Sequence, residues 1–128
     1  MSAPPVRVVV ADDAAEMRAL LRWALLQSEE VVVVGEAADG DTVLAMVAEL
    51  DPDVVVLDLQ MPGPAPGALL SAMARASPRT PIVTFSGFEP ALVAPAEARL
   101  VALHIPKTTD LALVREAIVG VARGAGDA

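Results

Sequence analysis

The hydrophobic positions of the chain fall into two kinds of segment that alternate from one end to the other. Five short segments are rich in β-branched residues and almost wholly apolar: Val6–Ala11, Val31–Gly35, Asp53–Leu59, Pro81–Phe85 and Leu100–Ile105. Nearly continuous β-branched runs of this length are typical of strands that are buried on both faces, as in a parallel sheet. We therefore predict five parallel strands.

The segments between these strands space their apolar residues three and four positions apart, as on one face of a helix. In the first helix these positions are Met17, Leu20, Leu21, Ala24 and Leu25. The fourth segment, Pro90–Arg99, is the exception, because Pro95 removes a backbone donor and clashes with the preceding turn. We expect that helix to be short, broken or mobile. Alternating strands and helices predict a doubly wound (βα)₅ fold of the α/β class, with helices on both faces of the sheet.

The length of 128 residues fits a single domain, 1–128, with a core at 6–123. Residues 124–128 would be a frayed tail or the start of a truncated linker. The chain has 17 acidic residues against 9 lysines and arginines, so we expect no direct binding of nucleic acid. The sequence contains no cysteine, which excludes disulfides and thiol chemistry. It has no apolar run long enough for a membrane span and no visible signal peptide, so we expect a cytoplasmic domain with no membrane partner.

Residues with useful chemistry follow four of the five predicted strands. They are Asp12 and Asp13 after the first strand, Asp58 at the end of the third, Ser86 after the fourth and Lys107, the only lysine, after the fifth. Ligands of open α/β sheets bind outside the carboxyl ends of the strands, so these side chains should meet. Three carboxylates repel one another unless a cation neutralises them, and Mg²⁺ suits oxygen ligands. An aspartate can also form an aspartyl phosphate, with lysine and hydroxyl groups holding the phosphoryl oxygens.

With these residues in this order, the chain resembles the receiver domain of two-component response regulators over residues 6–123. The matching stretches are residues 8–13 (VVVADD), 35–40 (GEAADG), 52–63 (PDVVVLDLQMPG), 81–87 (PIVTFSG) and 105–107 (IPK). The resemblance implies a flavodoxin-like sheet with strands in the order 2-1-3-4-5. It also implies a phosphorylation-dependent signalling switch that assists its own phosphorylation and dephosphorylation but is not a turnover enzyme.

The resemblance also implies a role for each residue. Asp58 would accept a phosphoryl group from a sensor histidine kinase or a phosphotransfer protein, Ser86 would be the switch hydroxyl and Lys107 the counter-charge to the phosphate. The implied ligands of Mg²⁺ are Asp12, Asp13, Asp58 and the backbone carbonyl of Gln60. The signal would leave through the face of helix 4, strand 5 and helix 5. Its reader would be a downstream protein, a missing C-terminal effector domain or, after phosphorylation, a second copy of the chain.

Two positions could modify this behaviour. The family usually has an aromatic residue three positions before the lysine, where this chain has His104, its only histidine. His104 is either a half-buried packing residue or a replacement for the aromatic switch, with added sensitivity near neutral pH. Phe88 lies two positions after Ser86, where the family flanks the path of the attacking water. It would either slow hydrolysis of the phosphate or simply pack within helix 4.

Simpler explanations exist for each site residue taken alone. Asp12 and Asp13 could begin the first helix as capping residues, and Lys107 could be a solvated surface residue. Thr84 offers a rival hydroxyl two positions before Ser86, although alternation along the strand places Thr84 inside the sheet.

Three other functions remain to be weighed. A degenerate receiver that binds partners without phosphorylation is favoured by His104 and Pro95, while the complete acidic site argues against it. A phosphohydrolase with Asp58 as nucleophile would need a second carboxylate two residues later, where the chain has Gln60, and a cap domain for which the length leaves no room. A flavin-binding fold of similar topology would need a phosphate-binding loop rich in glycine, serine or threonine after strand 1, which is absent.

Overall fold

The computed structural model describes residues 4–87 and 93–126. Within these residues five strands and five helices alternate: β1 (Val6–Ala11), α1 (Ala15–Leu26), β2 (Val31–Ala37), α2 (Gly40–Leu50), β3 (Val54–Leu57), α3 (Pro66–Ala76), β4 (Ile82–Ser86), α4 (Pro95–Ala98), β5 (Val101–Pro106) and α5 (Leu111–Gly126). The strands are parallel and lie in the order β2-β1-β3-β4-β5. The predicted doubly wound (βα)₅ fold and its strand order are therefore confirmed. None of the helices in the described ranges has the length and apolar character needed to cross a bilayer.

Several helix and strand bounds differ from the sequence prediction. β2 extends two residues further than predicted, to Ala37, and β4 and β5 each begin and end one residue later than predicted. β3 is shorter than predicted, because the polar residues Asp53 and Asp58 lie just outside it. α4 is a single turn whose first residue is Pro95. Proline is tolerated there because the N–H of the first helical residue makes no hydrogen bond within the helix. The part of the predicted fourth helix before Val93 lies outside the described residues. α5 continues to Gly126, three residues beyond Arg123, where the apolar spacing of the sequence ends.

The sheet lies between two apolar layers, and β1 contributes to both. Val8 and Val10 pack in the layer with Leu21 of α1 and Ile118 of α5. Val9 packs in the opposite layer, with the helices α2 and α3. Because side chains of a strand alternate between its faces, a run of valines serves both layers at once. The sheet is thereby covered on both faces.

A polar cluster closes the amino end of the sheet. Asp51 ends α2 in the left-handed region, with φ of 44°, and its carboxylate accepts a hydrogen bond from Ser77 at 2.5 Å. Thr80 donates to the carbonyl oxygen of Pro52 at 2.8 Å, and a guanidinium nitrogen of Arg7 donates to the carbonyl oxygen of Asp51 at 3.2 Å. These bonds tie β1 and the two loops that precede β3 and β4 together at the end of the sheet opposite the predicted site.

Candidate functional site

Asp12 and Asp58 are brought together by the pairing of β1 with β3. The backbone N–H of Asp58 donates to the carbonyl oxygen of Ala11 at 2.9 Å, and that of Asp12 donates to Ala37 of β2 at 3.0 Å. Both aspartate side chains are buried, with exposures of 1% for Asp12 and 4% for Asp58, whereas Asp13 is exposed. One carboxylate oxygen from each of the three aspartates lies within 4.8 Å of the other two. The strand ends therefore place the three predicted acidic residues in one cluster.

Lys107 reaches this cluster from the end of β5. Its Nζ donates to Oδ2 of Asp58 at 3.0 Å and lies 2.9 Å from Oδ2 of Asp12. The second contact is an ion pair without hydrogen-bond geometry, and this Asp12 oxygen has no hydrogen-bond partner among the described residues. Burial acts to lower the pKa of Lys107, but the two carboxylates outweigh it, so the pKa is raised and the ammonium form is favoured. Lys107 thus forms ion pairs with two buried carboxylates and is not a freely solvated surface residue.

The donor set of the cluster fits a hard divalent cation. Each buried carboxylate already accepts one backbone N–H two residues further on: Oδ1 of Asp12 accepts from Ala14 at 2.9 Å, and Oδ1 of Asp58 accepts from Gln60 at 2.9 Å. Together with Asp13, the carboxylates outnumber the one ammonium that neutralises them. All of the available donors are oxygens, which Mg²⁺ prefers. The turn after β3 also keeps the backbone of Gln60 next to Asp58.

Ser86 and Thr84 have different surroundings, although both belong to β4 and both are buried. Ser86 is the last residue of the strand, and its carbonyl oxygen accepts the backbone N–H of Lys107 at 3.3 Å. Thr84 lies opposite His104 in the sheet, with 2.7 Å between Oγ1 of Thr84 and Nδ1 of His104. Ser86 therefore lies at the carboxyl end of β4, beside the backbone of Lys107, whereas the hydroxyl of Thr84 contacts β5.

His104 is half-buried, and its contact with Thr84 is a feature that the sequence did not reveal. The register of β4 with β5 shifts between Ile82 and Val83, and the pairing of Thr84 with His104 follows that shift. Phe88, the other predicted tuning position, lies outside the described residues.

The residues after β1 are not simple helix caps. The N-cap position of α1 is Ala14, and no side chain caps that helix end. The carboxylate of Asp12 turns back to its own loop instead. One further residue that the sequence gave no reason to select lies here: Arg18 of α1 donates from Nη1 to the backbone carbonyl oxygen of Asp12 at 2.7 Å. Its position on the helix was predictable, but the direction of its long side chain was not.

The loop after Asp58 is held against the start of α2. The carbonyl oxygen of Pro62 accepts the N–H of Gly40 at 2.9 Å. Gly63 has φ of +115°, and a Cβ atom there would lie 3.3 Å from the backbone nitrogen of Gly40, so a glycine is needed for the close approach. Asp39 caps α2 by accepting the N–H of Thr42 at 2.8 Å, and this hydrogen bond lowers the pKa of Asp39. The loop that follows the Asp58 turn is therefore held in place by the first residue of α2.

Comparison with known proteins identifies the family. The family model described as the response regulator receiver domain matches residues 8–118. The chain belongs to this family. Among solved structures, this receiver domain superimposes on the signal receiver domain of the response regulator NarL from Mycobacterium tuberculosis with a TM-score of 0.83 and 32% identity, covering 95% of this chain and 99% of that one. The response regulator domain of Thermotoga maritima CheB gives a TM-score of 0.78 and 27% identity over 97% and 98% of the two chains.

Curated relatives of this receiver domain include proteins named as enzymes. A protein of Myxococcus xanthus named protein-glutamate methylesterase/protein-glutamine glutaminase 5 is 46% identical over 114 residues, which are 87% of this chain and 32% of that protein. A protein of Symbiobacterium thermophilum named protein-glutamate methylesterase/protein-glutamine glutaminase is 45% identical over 83 residues, or 64% of this chain and 22% of that protein. The chain therefore spans about a third or less of the length of these relatives.

Proposed function

We propose that this receiver domain is a phosphorylation-dependent switch of a two-component system, with Asp58 as the phosphoacceptor. The observation that carries the proposal is the contact of Asp58 Oδ2 with the ammonium of Lys107 at 3.0 Å, inside a buried cluster that includes Asp12. A structural ion pair would need one carboxylate for one ammonium. The surplus of carboxylates in a buried position has no stabilising purpose, and it suits a site that gathers cations around a phosphoryl group.

The phosphodonor would be the phosphohistidine of a sensor kinase or a phosphotransfer protein. A carboxylate oxygen of Asp58 attacks phosphorus, the bond from phosphorus to the histidine nitrogen breaks, and the imidazole leaves with the electron pair. Because Oδ1 of Asp58 accepts the N–H of Gln60, we assign the attack to Oδ2, the oxygen beside Lys107. The ammonium can then follow the phosphoryl oxygens, and the hydroxyl of Ser86 can donate to one of them.

Mg²⁺ is the cation that this donor set would hold, through Asp12, Asp13, Asp58 and the backbone carbonyl of Gln60. When bound, it supplies positive charge to the phosphoryl oxygens during transfer. Asp13 contributes the exposed carboxylate, so we assign it the face of the site that is open to water. We place the domain in the cytoplasm, where its phosphodonors act.

The signal would leave through the face formed by α4, β5 and α5. Two large apolar side chains are exposed on the last two of these, Leu103 of β5 at 37% and Leu113 of α5 at 56%. Exposed apolar residues beside a charge switch suit a protein interface. The names of the curated relatives favour a protein-glutamate methylesterase as the class of domain that reads this switch. A second copy of the receiver is the other reader that this face would suit.

The test is incubation with acetyl phosphate and Mg²⁺, followed by intact mass measurement. We expect one added phosphoryl group on the wild type and none on Asp58→Asn or in the presence of EDTA. Asp53→Asn is a matched control, because Asp53 lies just before β3 and Asp58 just after it. An unmodified wild type, or equal labelling of Asp58→Asn, would contradict the proposal. Binding of a partner without any phosphorylation would instead support a degenerate receiver.

A further inference from the structure

The peptide group that joins Asp12 to Asp13 is held by a side chain from α1. The carbonyl oxygen of this peptide group belongs to Asp12 and accepts a hydrogen bond from Nη1 of Arg18 at 2.7 Å. On its other side, the N–H of Asp12 is bound to Ala37 of β2. The backbone between the two acidic residues is therefore fixed at both ends of Asp12, although Asp13 itself is exposed.

Arg18 is in turn held by an acidic residue of the edge strand. Nε of Arg18 lies 4.0 Å from Oε1 of Glu36 on β2, while the other oxygen of Glu36 accepts a hydrogen bond from Arg22 at 2.7 Å. The side chains of Arg18 and Glu36 are 23% and 28% exposed, so both are partly shielded from water. One carboxylate therefore contacts two arginines one turn apart on α1, and of these two Arg18 also donates to the backbone of the site.

We propose that Arg18 is a positioning residue for the divalent cation, a step that rests on the proposed function of the site. By fixing the plane of the peptide group between Asp12 and Asp13, Arg18 sets the direction in which the carboxylate of Asp13 leaves the backbone. Loss of this hydrogen bond leaves that peptide group free to rotate and spreads the Asp13 carboxylate over several positions. Partners that orient metal ligands change metal affinity by about 10- to 100-fold when they are removed.

Electrostatic repulsion alone predicts that removing Arg18 strengthens Mg²⁺ binding, whereas the positioning role predicts that it weakens binding. Arg18 is a cation close to a cation site, so removing its charge should strengthen Mg²⁺ binding if orientation has no part. Arg22→Met is the matched control, because it removes the same charge from the same helix. Arg22 donates to Glu36, as Arg18 approaches it, but its hydrogen bond does not involve Asp12. Arg18→Lys keeps a charged donor and tests rescue.

The experiment is calorimetric titration of Mg²⁺ into wild type, Arg18→Met, Arg18→Lys and Arg22→Met, each shown to be folded by its urea transition. We expect the Kd of Arg18→Met to rise about tenfold, that of Arg22→Met to change less than about twofold, and Arg18→Lys to recover part of the loss. In acetyl phosphate assays, the Mg²⁺ concentration for half-maximal rate should rise while the rate at saturating Mg²⁺ stays unchanged.

Each contrary result has its own meaning. Equal or tighter binding by Arg18→Met, with normal binding by the wild type, overturns the role of Arg18 and leaves the proposed function intact. A reduced rate at saturating Mg²⁺ with unchanged Kd also overturns it. Absence of Mg²⁺ binding by the wild type overturns both the proposed function and this inference.

Discussion

Replacing Lys107 by methionine removes the one cation that contacts the two buried carboxylates among the described residues. Methionine keeps most of the length of the lysine side chain but carries no charge. Asp12 and Asp58, with exposures of 1% and 4%, would then face each other with no neutralising partner. We expect Lys107→Met to fold but to be clearly less stable than the wild type in the absence of divalent cations.

The size of the loss follows from the burial of the three groups. Removing one partner of a fully buried ion pair costs about 3–5 kcal/mol, because the other charge is left uncompensated. The side chain of Lys107 is 25% exposed, so water reaches the site and reduces the loss. We expect a fall of about 2 kcal/mol in the free energy of unfolding. For a chain of 128 residues this corresponds to a drop in Tm of about 8 °C.

The assay is urea and thermal unfolding at pH 7.5 in EDTA and again with saturating Mg²⁺. A cation that binds only the folded state stabilises it, so Mg²⁺ should shrink the deficit of the variant. Asp58→Asn should be at least as stable as the wild type, since it removes one of the repelling charges. In the Lys107→Met, Asp58→Asn double variant, most of the loss should disappear. A Lys107→Met protein as stable as the wild type in EDTA, or a double variant no more stable than Lys107→Met, would contradict this prediction.

Three further predictions concern pH, backbone conformation and the β4–β5 contact. The raised pKa of Lys107 means that its stabilisation is complete below the ordinary value of 10.5 and is lost as pH rises through the folded-state value, so the stability gap to Lys107→Met should close only in strong alkali. A gap that already closes below pH 10.5 would argue against this. Gly63→Ala should cost about 2 kcal/mol in urea unfolding, because alanine is strained at a φ of +115°, while Gly120→Ala, with open space around its Cβ in α5, should not destabilise the protein. Equal stability of these two variants would contradict the strain argument. Thr84→Val should cost about 1–2 kcal/mol by leaving Nδ1 of His104 without its 2.7 Å partner, and should shift the imidazole resonances in NMR spectra; unchanged resonances would count against the contact.

The strands were predictable because their sequences are short, largely apolar and rich in β-branched residues, as in a parallel sheet. The two edge strands, β2 and β5, are only partly buried, which the apolar pattern did not indicate. The meeting of Asp12, Asp58 and Lys107 was predictable because the carboxyl ends of parallel strands all lie at the same edge of the sheet. β3 proved shorter than its apolar run suggested. Asp53 binds the N–H of Arg7 with its side chain, and a turn begins at Asp58. Side-chain hydrogen bonds to the backbone thus fix where β3 begins and ends, and the hydropathy of the sequence does not reveal these bonds.

The features that escaped prediction depend on contacts between distant segments. The register of β4 with β5 shifts between Ile82 and Val83, before the pairing of Thr84 with His104. Both residues at the shift are ordinary β-branched strand residues, so the sequence does not mark it. The direction of Arg18 depends on where β2 places Glu36 and where β1 ends, neither of which is local to α1. Sequence periodicity assigns a residue to a helix face, but not the target that a long side chain reaches.

The polar cluster at the amino end of the sheet gives the domain a reserve of stability that is separate from its chemistry. β3 has four residues, at about 3.3 Å each, so Asp53 at one end and Asp58 at the other are well over 10 Å apart. Substitutions at such distances add in their effects on stability instead of coupling. Such a domain can therefore tolerate a destabilising substitution around the acidic cluster if an earlier substitution near Asp51 or Ser77 has raised its stability. A stabilising change at one end of the sheet can in this way offset a costly change at the other.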